Sequence, residues 1–224
     1  MIFGIVSVIF FIMICMRFII KYMSNKKLKL LFIKLHVPVS IMFAFITVLH
    51  CIASFPIMRS RSVYSILTGF LSMIFIFLSF LSGLQMRKGK QKLRQHQLCA
   101  LAACFLIIIH IVFNITGLVA YQNKVQRISI DPVDITEIPD GIYVGECDVT
   151  YIFVKVEVTV VSGSITEIAI LEHRNERGKS AEIVVDNILD QQRIDVDAVT
   201  SATNSSIVIK KAVENALGIL DNKH

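Results

Sequence analysis

Four of the six histidines fall in the first half of the chain, at 36, 50, 96 and 110, and they form two pairs with the same fourteen-residue interval. On a helix, fourteen residues turn back to within ~40° of the starting face and advance ~21 Å. A helix carrying such a pair shows one imidazole near each of its ends on a single stripe. If the two helices run parallel, His36 faces His96 at one level and His50 faces His110 at the other. Facing imidazoles are good axial ligands for haem iron, and two of them leave no open coordination position, which suits electron transfer rather than oxygen chemistry. Taken singly, His36 and His96 also read as interfacial side chains beside Lys34 and Arg94. His50 and His110 sit within apolar runs, where an ionisable group is expensive and commonly functional.

The elements that must hold these residues are four apolar stretches, roughly Met1–Ile20, Leu35–Phe55, Val63–Leu84 and Gln97–Ala120. Each is near the ~20 residues that span a bilayer as a helix. The histidine pairs bracket the second and fourth. One antiparallel span separates these two, so they run parallel. The first stretch has its positive charges after it and no small-residue cleavage site, and reads as a retained span rather than a signal peptide. Gly69, Gly83 and Gly117 are positions where a porphyrin would find room, although small residues are ordinary at membrane helix contacts. A four-helix bundle with inward-facing ligands is a common architecture for such centres.

Charge divides the chain. Residues 1–122 carry 13 Lys and Arg and no Asp or Glu, whereas residues 123–224 carry 10 basic and all 17 acidic residues. Mean hydropathy of +0.67 excludes an ordinary soluble domain, and the net charge of +6 is no nucleic-acid footprint. The first loop side (Arg17, Lys21, Lys26, Lys27, Lys29, Lys34) and the third (Arg87, Lys88, Lys90, Lys92, Arg94) hold most of the basic residues, against Arg59 and Arg61 in the second. The positive-inside rule then puts the first and third loops in the cytoplasm and the C-terminal domain outside. The five cysteines include no CxxC or CxxCH. Cys51 reads as a small apolar filler.

The second half reads as a small α+β domain. Tyr121–Pro139 is a polar linker, Ile142–Cys147 an edge strand, Tyr151–Val161 a strand with Val154, Val156, Val158 and Val160 on one face, and Ser164–Leu171 its partner. Ala181–Gln191, with Ile183, Val184, Ile188 and Leu189 at helical spacing, reads as one helix, and Ser205–Leu217, with Ile207, Val208, Ala212 and Leu217 inward, as a second. Between them, Asp195–Ser206 is a Ser/Thr-rich loop running into a helix N-terminus, a place that favours phosphate. The same loop also reads as a plain cap, with Thr203 or Asn204 satisfying the first N–H groups.

The runs DGIYVGE at 140–146 and GKSAEIVVDNILDQQRIDVDAVTSATNSSIVIKKAVENAL at 178–217 resemble the FMN-binding domain family, found in the FMN-carrying subunits of Rnf-type and sodium-pumping NADH:quinone complexes and in extracellular bacterial flavoproteins. The resemblance implies that Asp197 is the signature acid and that Thr200-Ser201-Ala202-Thr203 is the tetrad. By the same resemblance Thr203 would carry FMN through a phosphoester made by a flavin transferase, beside Asn204 and with Ser205 as the following hydroxyl. Ser201 stands where the family has glycine. The loop Glu172–Lys179, with His173, Arg177 and Gly178, corresponds to the family's flavin-facing loop, and His173 itself reads as a surface side chain. The histidine spacing and helix order resemble the di-haem membrane cytochromes b.

The sequence therefore predicts a four-span cytochrome b-like membrane domain over 1–122, a linker over 123–139 and an extracytoplasmic FMN-binding domain over 140–220. Its expected place is a bacterial cell membrane, as a multi-pass electron-transfer flavoprotein or oxidoreductase component. The expected cofactors are two haem b and FMN. The expected partners are membrane lipid, a flavin transferase, a quinol or redox-protein donor and an outer electron acceptor, with no nucleic acid. The alternative is a membrane-anchored FMN protein whose helices bind no haem.

Overall fold

The computed structural model describes residues 2–88, 92–175 and 178–218. Lys90, Arg177 and the last two residues of the 140–220 stretch lie outside the described residues. The chain divides into two compact units, Met1–Asn114 and Ile115–His224.

The first unit is built from α1 (Ile2–Ile19), α2 (Lys26–Ser54), α3 (Val63–Arg87) and the larger part of α4 (Leu93–Gln126). All four are long and apolar enough to cross a membrane. Asn25 and Ser62 set the starts of α2 and α3, each side chain accepting a backbone N–H three residues on, at 3.1 Å. Helix α2 continues through Pro38, whose missing N–H leaves the carbonyl four residues earlier without its helical donor. Size is sorted as a lipid solvent requires. Phe45, Phe70, Phe77 and Phe105 point outward, while Ser65, Ser72 and Ser82 of α3 are buried. Hydroxyls in the spans return to their own helix: Ser40 Oγ donates to the His36 carbonyl at 2.7 Å and Thr47 Oγ1 to that of Phe43 at 2.8 Å. Among the described residues, α1 and α2 run in close backbone contact and α2 and α4 have no comparable run. Cys51 is exposed on its helix rather than filling an interior gap.

The second unit begins with the end of α4. The polar segment from Tyr121 was expected to be linker, but Tyr121 and Val125 are buried in this unit's apolar core and the helix persists to Gln126. Strands β1 (Gly141–Asp148), β2 (Phe153–Val161) and β3 (Ser164–Arg174) form an antiparallel meander in that order. Ser162 and Gly163 both take positive φ, +53° and +70°, the hairpin geometry that matches strand twist. Val154, Val156, Val158 and Val160 are fully buried and meet Val208, Ile209, Ala212, Val213 and Ala216 of α6 (Thr203–Leu217). Helix α6 lies so close to β1 that a Cβ on Gly145 would collide with the backbone of Ala212 and Ala216. The region expected as one helix over Ala181–Gln191 starts instead as a 3-10 turn, Lys179–Ile183, before α5 (Val184–Gln191). That change of winding turns Ile183 outward, contrary to the helical spacing.

Candidate functional site

The four histidines of the first unit form two edge-on pairs. The ring centres of His36 and His96 are 6.3 Å apart with planes at 87°, and those of His50 and His110 are 6.5 Å apart at 79°. Each pair joins α2 to α4. The α4 rings are set by α3: His96 Nδ1 lies 2.9 Å from the Ser79 carbonyl and His110 Nδ1 2.9 Å from the Ser65 carbonyl. A carbonyl oxygen only accepts, so each Nδ1 carries the hydrogen and, in the neutral ring, Nε2 keeps its lone pair. On α2 the second nitrogens are held less firmly. His50 Nδ1 is 3.5 Å from Ser54 Oγ, and the buried His36 Nδ1 has no hydrogen-bond partner among the described residues.

Glycines make room for three of the rings. An added Cβ would lie 2.9 Å from His110 Cε1 at Gly69, 3.2 Å from His50 Cε1 at Gly4, and 3.6 Å from His96 at Gly83. Gly117 differs: its neighbour is the Tyr151 hydroxyl of the second unit, not an imidazole. Sequence reasoning passed over the partner motif on α3. Ser65-Ile-Leu-Thr-Gly69 recurs as Ser79-Phe-Leu-Ser-Gly83, fourteen residues on, matching the interval from His96 to His110. In each copy the serine carbonyl takes the imidazole N–H and the glycine faces the ring. That repeat was a readable signal.

Among the described residues, no three His, Cys, Asp or Glu side chains gather as a conventional metal-ligand group. Asn114, one turn beyond His110, donates from Nδ2 to Ser65 Oγ at 2.7 Å and lies 3.3 Å from His110 Nε2.

In the second unit, Thr200 to Ser205 lead into α6. The helix has Ala202 in its cap position, and no side chain caps it. The plain-cap reading for Thr203 and Asn204 is therefore not what forms, and Thr203 opens the helix with its side chain exposed. Ser201 has φ +67°, the left-handed conformation that glycine adopts without strain. Asn204 Nδ2 donates to the Tyr121 hydroxyl at 2.9 Å, and Tyr121 stacks on Tyr151 with centres 5.0 Å apart. Ser205 is buried against Gly178, where a Cβ would collide with its Oγ. Ser206 Oγ accepts the Val199 N–H at 3.1 Å, tying the loop to the helix. Asp197 and Thr200 are exposed. Lys210, unremarked in the sequence, is buried and donates to the Val196 carbonyl at 2.8 Å, pinning the segment that leads to Asp197.

His173 is a correction. Its side chain is only 3% exposed, with Nδ1 2.9 Å from Glu182 Oε1. Pairing with Val154 puts it on the inner face of the sheet, so it is no surface residue. Cys147, on β1, has its thiol pKa pushed up by burial.

No curated protein and no solved structure matches the chain. Residues 152–218, wholly inside the second unit, match the FMN-binding domain family.

Proposed function

We propose that the chain is a transmembrane electron-transfer protein, in which His36 with His96 and His50 with His110 each hold a b-type haem and Thr203 carries FMN outside the cytoplasm. The observation that carries this reading is the doubled imidazole pair on α2 and α4. Two imidazoles sharing one metal through Nε2 bonds of ~2.0 Å have ring centres roughly 6 Å apart, which agrees with both pairs. A haem iron takes only two ligands from the protein. The Nδ1 bonds to the Ser65 and Ser79 carbonyls favour the tautomer that presents Nε2. Gly4, Gly69 and Gly83 give the rings space to turn.

When bound, haem b supplies one-electron transfer and FMN accepts or delivers one or two electrons. The chain's own part is positional. The fourteen-residue interval spaces the two imidazole levels by ~21 Å, a large share of the ~30 Å apolar core of a bilayer. The uncapped start of α6 offers backbone N–H groups and the positive end of the helix dipole to a phosphate. The exposed Thr203 hydroxyl gives a flavin transferase access to the attachment atom, and Ser201 supplies the left-handed bend in glycine's place. The loop charge supports an outside position for this domain, where such a transferase acts. A quinol or another redox protein is the proposed donor and an outer acceptor the proposed destination.

A specific observation favours the second reading, a membrane-anchored FMN protein without haem: Asn114 Nδ2 lies within reach of His110 Nε2, so the polar groups between the helices already serve one another. A reduced-minus-oxidised spectrum of membranes containing the full chain separates the two. A b-type band that disappears in the His50→Ala, His110→Ala and His36→Ala, His96→Ala combination supports the first. Its absence from the unaltered protein leaves the second. Mass analysis of the peptide containing Thr203, after co-expression with a flavin transferase, tests the FMN attachment.

A further inference from the structure

Two of the five cysteines meet between helices of the first unit. Cys15 Sγ on α1 and Cys104 Sγ on α4 are 3.9 Å apart, although 89 residues separate them in the chain. Both are half-buried free thiols. The meeting follows from the faces that the two helices turn inward: Phe11, one turn before Cys15, and Ala103, beside Cys104, are both buried. Each sulfur belongs to a helix long and apolar enough to cross a membrane, and Cys104 lies between His96 and His110 on α4. The other thiols are placed differently. Cys51 meets the Met73 sulfur at 3.7 Å, and Cys147 lies on β1 in the second unit. Cys99 is on α4 itself, ~140° round the helix from Cys104.

We propose that Cys15 and Cys104 are the site of a reversible disulfide, formed by a quinone dissolved in the bilayer. The step balances: both S–H bonds break, one Sγ–Sγ bond forms, and the quinone takes the two electrons and two protons to become a quinol. A bond of ~2.05 Å asks the sulfurs to approach by roughly 1.9 Å, which falls to rotation about the two χ1 angles and a small helix movement. Thiol buffers such as glutathione are charged and stay out of an apolar core, so this pair answers to redox carriers soluble in lipid.

The structural effect is to fasten α1. That helix runs in close backbone contact with α2, and its Gly4 leaves the space that His50 occupies. The disulfide adds a tie to α4, so oxidation joins the first span to both helices that carry the imidazole pairs. The bond needs neither haem nor flavin, and it stands apart from the reading given above.

The experiment counts free thiols in the full chain held in phospholipid vesicles. The reduced protein is treated with duroquinone, a fully substituted quinone with no open ring position for thiol addition, then unfolded in detergent and labelled with a maleimide mass tag. Of five cysteines, all should take the tag before oxidation, three after it, and five again once dithiothreitol has acted on the unfolded chain. Cys15→Ser and Cys104→Ser should each keep four tags throughout. A variant with Cys51, Cys99 and Cys147 all changed to serine should fall from two tags to none. Mass analysis of the oxidised, unaltered protein should find the peptides of Cys15 and Cys104 joined. Glutathione disulfide at the same concentration should leave five tags. Five tags after duroquinone overturn the proposal, as does a loss of two in either single variant or a disulfide-linked dimer in place of the internal bond. Equal oxidation by glutathione disulfide overturns the assignment to a bilayer oxidant. If the serine variants fail to fold, the joined peptide from the unaltered protein decides.

Discussion

The Nδ1 of His96 lies 2.9 Å from the backbone carbonyl of Ser79, while the ring centre stands 6.3 Å from that of His36. His110 repeats the arrangement with Ser65. A main-chain acceptor cannot be lost by side-chain substitution, so the vulnerable part of the device is the glycine four residues on.

Gly69→Ala and Gly83→Ala should therefore differ. A methyl at Gly69 comes within 2.9 Å of His110 Cε1, so the ring must shift and strain its Nδ1 bond to the Ser65 carbonyl on the same helix. The same methyl at Gly83 meets the His96 ring at an ordinary 3.6 Å. On the haem reading, Gly69→Ala loses about half of the b-type signal by forcing one ring out of line, and Gly83→Ala keeps nearly all of it. Equal reduced-minus-oxidised spectra from the two variants would refute this.

Ser201→Gly should stabilise the second unit. Ser201 holds φ +67°, which costs an L-residue about 1–2 kcal/mol, part of which glycine returns as chain entropy. The expected net gain is up to about 1 kcal/mol, read as a later thermal transition, together with, on the FMN reading, a larger fraction of Thr203 carrying FMN after co-expression with a transferase. A lower transition temperature in the variant contradicts it.

Gly145→Ala should be severe for its size. The added methyl would sit inside backbone atoms of Ala212 and Ala216, and α6 must move off the sheet. A loss of at least about 2 kcal/mol is expected, since overpacking against main chain has no flexible side chain to yield. Limited proteolysis within the second unit, faster than in the unaltered protein, is the measurement; unchanged cleavage would be fatal to the idea.

Cys147 should be a slow thiol. Burial disfavours its thiolate and raises its pKa, so at pH 8 a smaller fraction is ionised than in a free cysteine. Iodoacetamide labelling of the native protein should lag that of the unfolded chain at pH 8, and its rate should keep climbing at pH values where the unfolded thiol has levelled off. Parallel pH profiles would show the shift to be absent.

Much of the architecture was legible because it is local. Twenty apolar residues without an acid specify a span, and the alternation of Val154 to Val160 specifies a half-buried strand whatever lies elsewhere in the chain. The boundaries that slipped did so for non-local reasons. Helix α4 runs past the expected end because Tyr121 and Val125 join a core made largely of residues 135–217. Ile183 turned outward because the 3-10 turn breaks the helical count. The Ser65–Gly69 and Ser79–Gly83 repeat stood in plain view, yet its meaning depends on which helix lies opposite. His173 was misjudged because its partner, Glu182, is nine residues away across a turn.

Types, intervals and charge asymmetry are properties of the chain, and the histidine stripes, the four long apolar stretches and the valine face follow from them alone, while the Thr200–Thr203 tetrad is what the family resemblance implies. Tertiary structure decided which atoms meet. It turned Nδ1 of His96 and His110 onto carbonyls, left α6 without a side-chain cap, bent the chain at Ser201 and buried His173 against Glu182. The reason is physical. Periodicity follows from one helix or strand by itself, whereas burial and hydrogen-bond partners exist only once a second element is in place.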